Sequence, residues 1–208
     1  MFDTLQIGLF DTDPAGTRLL DLAPQRTTLT AGAWVDTQPG WVAGSDNLFT
    51  NLLDAVPWQR ERRRMYDRVV DVPRLVRFYA EHEHLPHPLL GAMRDVLGVH
   101  YRAELGETFT TAGMCCYRDG ADSVAWHGDR IGRSDTEDTM VAIVSLGDSR
   151  PLLLRPRGGG RSLRFPAGHG DLLVMGGSCQ RTWEHCVPKA AGATGPRISI
   201  QFRPHNVR

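Results

Sequence analysis

The sequence predicts an α+β fold, with helices in its first half and a β-sandwich or barrel in its second. Three observations carry that expectation. Two early segments place apolar residues at helical spacing, short β-branched and apolar runs punctuated by glycine follow residue 105, and 208 residues suffice to bury one full core. At 41% hydrophobic and 23% charged, the composition is that of a soluble globular chain, which excludes disordered and fibrous classes.

The first 40 residues are mixed and rich in turn formers (Asp13-Pro14, Ala31-Gly32, Pro39-Gly40), with Leu5–Phe10 as a short strand. Ser45-Asp46 caps a helix running through about Ala55, with Leu48, Phe49, Leu52 and Leu53 on one face. An arginine-bearing loop or extended stretch comes next. A second helix spans Pro88–Glu104, where Leu89, Leu90, Met93, Val96 and Leu97 share a stripe and Pro88 suits the first turn. Beyond it, Thr139–Leu146, Pro151–Arg155, Asp171–Met175 and Arg197–Phe202 read as strands, and Gly158-Gly159-Gly160 as a turn between two of them. Neither repeat nor linker interrupts the chain. The expectation is one domain over 1–208, with extension, lid and support helices in 1–104 and a core in 105–208.

Lys plus Arg and Asp plus Glu both number 24, so the formal charge is zero, which argues against a protein that coats nucleic acid generically. Lys189 is the one lysine; GC-rich codon usage explains that bias better than phosphate binding does. The average hides two basic segments: residues 58–77 carry +4, and residues 150–164 carry +5. Such segments suit a local polyanion footprint, with solvated surface arginines as the equal alternative. Compensating acid lies in Asp135, Glu137 and Asp138. Cys115, Cys116, Cys179 and Cys186 form no CxxC pair, so they read as free thiols of a reducing cytosol. Cys115 and Cys116, adjacent on a strand, point to opposite faces. No apolar run approaches the roughly 20 residues of a membrane span, and the N-terminus lacks the basic flank of a signal peptide. A cytoplasmic, membrane-free monomer is expected.

His127 and Asp129 form H-x-D, which on a strand end places an imidazole and a carboxylate on one face. Among the histidines that follow (His169, His185, His205), His185 is best placed as a third ligand, just after the apolar run Asp171–Gly177. Two histidines and a carboxylate suit a non-haem Fe(II) oxygenase, and a zinc hydrolase can use the same set. The tail bears on the choice. Arg197, Ser199, Gln201 and Arg203 alternate with Ile198, Ile200 and Phe202, so a strand aims two arginines inward. Buried guanidinium groups are costly without anions, and a dicarboxylate cosubstrate supplies two.

Taken together, Tyr117-Arg-Asp-Gly120, His127-Gly-Asp129, Val141–Gly147 with Arg150, Gly170–Met175, His185 and Arg197-x-Ser-x-x-Phe-Arg203 resemble the AlkB family of Fe(II)/2-oxoglutarate dioxygenases. The resemblance spans roughly 105–204, extends more weakly to Leu48–Arg77 through Val56-Pro-Trp58 and Val72-Pro-Arg74, and leaves the first 40 residues untouched. It implies a double-stranded β-helix (jelly roll) with support helices and a nucleotide-recognition lid. It implies Fe(II) on His127, Asp129 and His185, with O2 as co-reactant. Arg197 would pair with the distal carboxylate of 2-oxoglutarate, Tyr117 and Ser199 would contribute to the cosubstrate site, and Arg203 would lie near its metal end. The implied reaction is hydroxylation of an N-alkyl carbon on a damaged DNA base, with RNA as a further substrate. Two-oxoglutarate becomes succinate and CO2, and an aldehyde leaves. The sequence departs from the family at Cys115 and Ser199, where Asn is usual, and in the acidic run after H-x-D, displaced here to Asp135. A 2-oxoglutarate oxygenase acting on a protein or small molecule is the alternative.

For nucleic acid, the candidates are Arg62, Arg63 and Arg64 on phosphates, Arg150 and Arg157 on the opposite strand, and Met65-Tyr66 as a wedge behind a flipped base. Packing within the lid is the equal alternative for the last pair. Tyr79, Trp126, His82, His84 and His87 are candidates to stack the base, and Met175 either lines its pocket or packs in the core. Trp34, Trp41, Trp58 and Trp183 read as core.

Overall fold

The computed structural model describes residues 16–65, 68–192 and 194–207, with side chains between 63 and 71 left aside. The strand expected at Leu5–Phe10 and the wedge residue Tyr66 lie outside the described residues, as do the side chains of Arg63, Arg64 and Met65.

In chain order, β1 is Arg18–Leu19, β2 Gln25–Thr28, β3 Ala33–Gln38 and β4 Val42–Ala43, followed by α1, Asp46–Ala55. The arginine-rich stretch is a β-hairpin, β5 (Gln59–Met65) and β6 (Arg68–Tyr79), and α2 is Pro88–Leu105. Then come β7 (Thr111–Tyr117), β8 (Val124–His127), β9 (Val141–Gly147), β10 (Leu152–Pro156), β11 (Leu163–Phe165) and β12 (Asp171–Gly177). A short α3 (Cys179–Thr182), β13 (Trp183–Val187) and β14 (Arg197–Arg203) complete it.

The strands form an eight-stranded sheet in the order β2-β3-β12-β9-β14-β7-β6-β5, a four-stranded sheet β11-β10-β13-β8, and the pair β1-β4. This is the jelly roll that the resemblance implies, with α1 and α2 covering the outer face of the large sheet. Strand periodicity explains how one sheet serves two cores. Leu172 and Val174 of β12, Ala142, Val144 and Leu146 of β9, and Ile198, Ile200 and Phe202 of β14 pack outward with Leu48, Leu52, Leu90, Met93 and Leu97. The alternate residues Leu173, Met175, Val141 and Ile143 face the small sheet and meet Leu152, Leu154, Phe165 and Trp183. Being buried on both faces, β9 reads as a run over Val141–Leu146 that is apolar except at Ser145. On β14 the inward residues are polar, and with Val141, Ile143, Leu152 and Leu173 they line a cavity between the sheets.

Helix ends follow local chemistry, with one revision. Ser45 occupies the N-cap position of α1 but makes no side-chain cap, because its hydroxyl bonds to Nε2 of His169 at 2.7 Å. At α2 the cap is His87, whose Nδ1 accepts from the backbone N–H of Leu89, with Pro88 in the first turn and Gly106 left-handed at the end. Three tryptophans expected in the core are there; Trp58 is half-buried against it. Met175 is fully buried between the sheets, so it packs the core.

Candidate active site

The small sheet brings the metal ligands together. His127 ends β8 and His185 lies on β13, and the two residues are register partners across that pair. Their rings sit 4.3 Å apart. Asp129, two residues beyond His127, completes a triad whose ligand atoms all lie within 4.8 Å of one another.

Each ligand is oriented by a neighbour. Nδ1 of His127 lies 2.8 Å from the carbonyl of Ala125, so it carries the proton and leaves the lone pair on Nε2, 3.7 Å from Oδ1 of Asp129. Arg203 donates from Nε and Nη2 to Oδ2 of Asp129 at 2.9 and 2.8 Å, leaving Oδ1 to face the histidines. Burial alone would raise the Asp129 carboxyl, but Arg203, His185 and His127 hold it well below the usual carboxylate range. Burial and neighbouring His127 push His185 down to about 3, so its imidazole is neutral and able to bind a cation. The backbone N–H of Asp129 donates to Oε1 of Gln180 at 3.0 Å, anchoring the loop to α3.

A cavity of about 660 Å³ opens on this triad. Its floor is the polar face of β14, with Arg197, Ser199, Gln201 and Arg203 all lining it. Cross-strand pairing sets Arg197 beside Tyr117 and Ser199 beside Cys115. Nε of Arg197 donates to Oγ of Ser145 at 2.9 Å, yet its Nη1 is buried without a partner. Burial lowers the pKa of this guanidinium, and the Tyr117 ring lies 5.2 Å from its carbon. An orphaned N–H of a buried cation calls for an anion. The donor set suits a divalent transition metal and the orphaned arginine suits a carboxylate, so iron and 2-oxoglutarate both fit the residues present. Burial also raises the Tyr117 hydroxyl, keeping it a neutral donor.

The sequence profile of the 2OG-Fe(II) oxygenase superfamily matches residues 55–203. The chain belongs to that superfamily. The chain is 30% identical over 186 residues to the alpha-ketoglutarate-dependent dioxygenase alkB homolog 3 of Bos taurus, a match covering 79% of this chain and 64% of that relative. It is 27% identical over 228 residues to the DNA oxidative demethylase ALKBH2 of Arabidopsis thaliana, covering 87% of this chain and 70% of that relative. The chain is similar to these AlkB homologues, and it spans less than two thirds of the length of the alkB homolog 3 relatives it matches. Its fold matches the structure of OsALKBH1 with a TM-score of 0.62 at 13% identity, over 87% of this chain and all of that one. A 2OG-Fe(II) oxygenase from Burkholderia pseudomallei matches with a TM-score of 0.54 at 17% identity, over 83% and 86%. The superfamily is named for Fe(II) and 2-oxoglutarate, and the His127–Asp129–His185 triad and the orphaned Arg197 donor fit both. Among the chain's described residues, no helix is long and apolar enough to cross a membrane.

The nucleic-acid candidates separate. Arg62 is exposed on β5, and Arg157 is exposed on the turn after β10, its backbone N–H bonded to the carbonyl of Thr182. Arg150 is a correction. It is 1% exposed, and its guanidinium donates to the carbonyls of Asp119, Asp122 and Pro188 at 2.6 to 2.9 Å, so it clamps loops and cannot reach phosphate. Two stacking candidates also fall away. Tyr79 is 4% exposed in the helix-side core, and His87 caps α2. The ring of Trp126 is covered by Arg155, whose guanidinium carbon lies 4.2 Å from it.

Sequence reasoning missed Gln180, Ser145 and Gly113. A Cβ on Gly113 would stand 2.7 Å from Nη1 of Arg203 and 3.1 Å from Oε1 of Gln201, so the missing side chain makes room for the arginine that holds Asp129. Gly113 lies two residues before Cys115 on the same inward face, a weak signal that the alternation of β14 makes readable in retrospect.

Proposed function

We propose that this dioxygenase removes alkyl groups from bases of the 1-methyladenine/3-methylcytosine type, alkylated at a ring nitrogen of the pairing edge, in DNA and also in RNA. The reaction consumes O2 and 2-oxoglutarate and releases succinate, CO2 and an aldehyde. The observation that carries this reading is the position of the β5–β6 hairpin. It joins the large sheet through β7, and its residues Arg60 and Arg74 line the same cavity as His127, Asp129 and His185. The names of the relatives support it.

Bound iron supplies oxidation of a C–H bond, coupled to decarboxylation of 2-oxoglutarate. The chain supplies the rest. Arg197 and Tyr117 orient the distal carboxylate, Arg203 keeps Asp129 ionised and aimed, and the apolar inter-sheet core excludes water behind the site. A base within a duplex cannot reach a triad this recessed and must be flipped out, at a cost of a few kcal/mol. Cations on the hairpin bind phosphates beside the flipped nucleotide and offset that cost.

The test is a panel of singly alkylated oligonucleotides incubated with iron-loaded enzyme, 2-oxoglutarate and O2, read by mass spectrometry with Asp129→Ala as the blank. Loss of the alkyl mass with wild type alone is expected. Unchanged oligonucleotide masses across the panel, with enzyme that binds iron and 2-oxoglutarate, would exclude the proposal.

A further inference from the structure

The cosubstrate end of the cavity holds one thiol among cations. Cys115 is half-buried and lines the cavity, whereas Cys116, Cys179 and Cys186 are each 4% exposed or less. Access of this kind decides which thiol of a protein oxidises first. Resting on the reading of this cavity as a 2-oxoglutarate site, we propose that Cys115 is a modification site for peroxide, and that its sulfinate takes the arginine donors that otherwise receive a carboxylate of the cosubstrate. Oxidation of that sulfur shuts out the cosubstrate and leaves the three metal ligands untouched.

Three strands build the setting. Cys115 is the register partner of Ser199 on β14 and of Val76 on β6, and all three residues line the cavity. From β6, the Arg74 guanidinium stands against the Cys115 sulfur, and its Nε is buried without a hydrogen-bond partner among the described residues. Its Nη1 reaches the carbonyl of Ser123 only at 3.5 Å. Glu61 also acts on Arg74 by charge, and Nε stays open beside it. From β14, Arg197, 1% exposed, acts on the same sulfur and keeps Nη1 buried and unpartnered. Two orphaned donors on two cations thus flank one thiol, and each calls for an anionic oxygen. A thiol cannot supply one; its own contact is weak, to Oε1 of Gln201 at 4.0 Å.

Peroxide supplies the oxygen. The sulfur attacks one peroxide oxygen, an S–O bond forms as the O–O bond breaks, and the departing hydroxide takes the thiol proton and leaves as water. Sulfur is oxidised to the sulfenic acid while peroxide is reduced. A second peroxide repeats the step and yields the sulfinic acid, which gives its proton to solvent. Like a carboxylate, the sulfinate presents two oxygens that share one negative charge, so it pairs with the open donors of Arg74 and Arg197. Among the described residues no other cysteine lines the cavity, so no neighbouring thiol intercepts the sulfenic acid as a disulfide.

The experiment treats Mn(II)-loaded enzyme with hydrogen peroxide, manganese replacing iron to avoid the radicals that iron makes from peroxide. Peptide mass spectrometry locates the added oxygens, and titration calorimetry reads the affinity for 2-oxoglutarate. Two added oxygens on Cys115 and none on the other cysteines are expected, with affinity lower by about tenfold or more, the scale of one hydrogen bond to a charged group. Oxidation elsewhere with Cys115 intact, or full affinity after its oxidation, overturns the proposal. Peroxide should leave the affinity of Cys115→Ser at its own untreated value; a loss equal to that of wild type assigns the effect to another residue and overturns the proposal. Cys115→Asp and Cys115→Asn place nearly the same volume at the site with and without a negative charge. Without peroxide, the Asp variant should bind 2-oxoglutarate about tenfold more weakly than the Asn variant, and equal affinities overturn the proposal. If untreated wild type binds no 2-oxoglutarate, the cosubstrate reading falls and takes this proposal with it; if untreated and oxidised enzyme bind it equally, only this proposal falls.

Discussion

At the scale of single residues, the site depends on contacts that hold its ligands. Gly113→Ala brings a methyl group against the tip of Arg203, which is flexible enough to swing away and release Asp129. The fold should survive, and affinity for Mn(II), a stand-in for iron, should fall about tenfold, as it does when a ligand loses its orienting partner. Titration calorimetry decides; unchanged affinity would mean that Arg203 does not position the ligand. Arg150→Met strips a buried guanidinium from three carbonyls and should cost about 3 kcal/mol or more in urea unfolding. Affinity of the folded fraction for oligonucleotide should not change. The thiols give a signature in pH. Burial pushes Cys116 up to about 11. A raised native pKa means that its share of stability is whole below the unfolded thiol's value near 9 and is lost as pH rises through 11. Wild-type Tm should therefore fall more steeply over that window than that of Cys116→Ala. Half-buried Cys115, which lines the cavity, should react first with a thiol reagent and be shielded by 2-oxoglutarate. The three ligands were legible in the sequence because spacing and strand faces are local. Gln180 and Gly113 were not, because their value lies in partners 51 and 90 positions away, the backbone N–H of Asp129 and the side chain of Arg203 respectively.

At the scale of elements, propensity and pairing divide the credit. Both long helices were readable from apolar spacing, and β9, β10, β12 and β14 from apolar or alternating runs, to within a few residues at each end. By contrast, β3 was hidden among turn formers. Its Asp36 is buried, accepting from Arg26 and from the hydroxyl of Tyr101, so its polarity disguises a strand paired on both sides. Trp34 of that strand stacks near Tyr101 and under Arg26. A Cβ on Gly176 would lie 2.1 Å from its ring. Gly176→Ala should thus destabilise by about 1–3 kcal/mol through overpacking, measurable as a lower Tm. The hairpin shows what charge alone left open. Its arginines sit on two paired strands joined to the large sheet, a pairing that the sequence does not encode locally. Replacing Arg62, Arg63 and Arg64 with alanine should raise the KM for oligonucleotide and flatten its salt dependence, with the KM for 2-oxoglutarate unmoved. Equal losses for both substrates would point to damage in the sheet instead.

At the scale of the whole molecule, zero net charge is an average over parts that do different work. Much of the acid outside the site pairs with arginines of the same surface, as in Arg130 with Asp135, Arg181 with Asp138 and Arg26 with Glu104, whereas the cavity keeps orphaned arginine donors. The inter-sheet space is divided the same way, apolar beneath β9 and β12 and polar beneath β14. Both follow from strand alternation once the register is known, and register is the part that sequence alone supplies least. The most direct test of this account counts products. Enzyme with Fe(II), 2-oxoglutarate, O2 and an oligonucleotide carrying one N-methylated base should yield succinate, formaldehyde and repaired base in equal amounts, with none from Asp129→Ala. Succinate formed at a rate indifferent to the oligonucleotide, with the methyl group still in place, would contradict it.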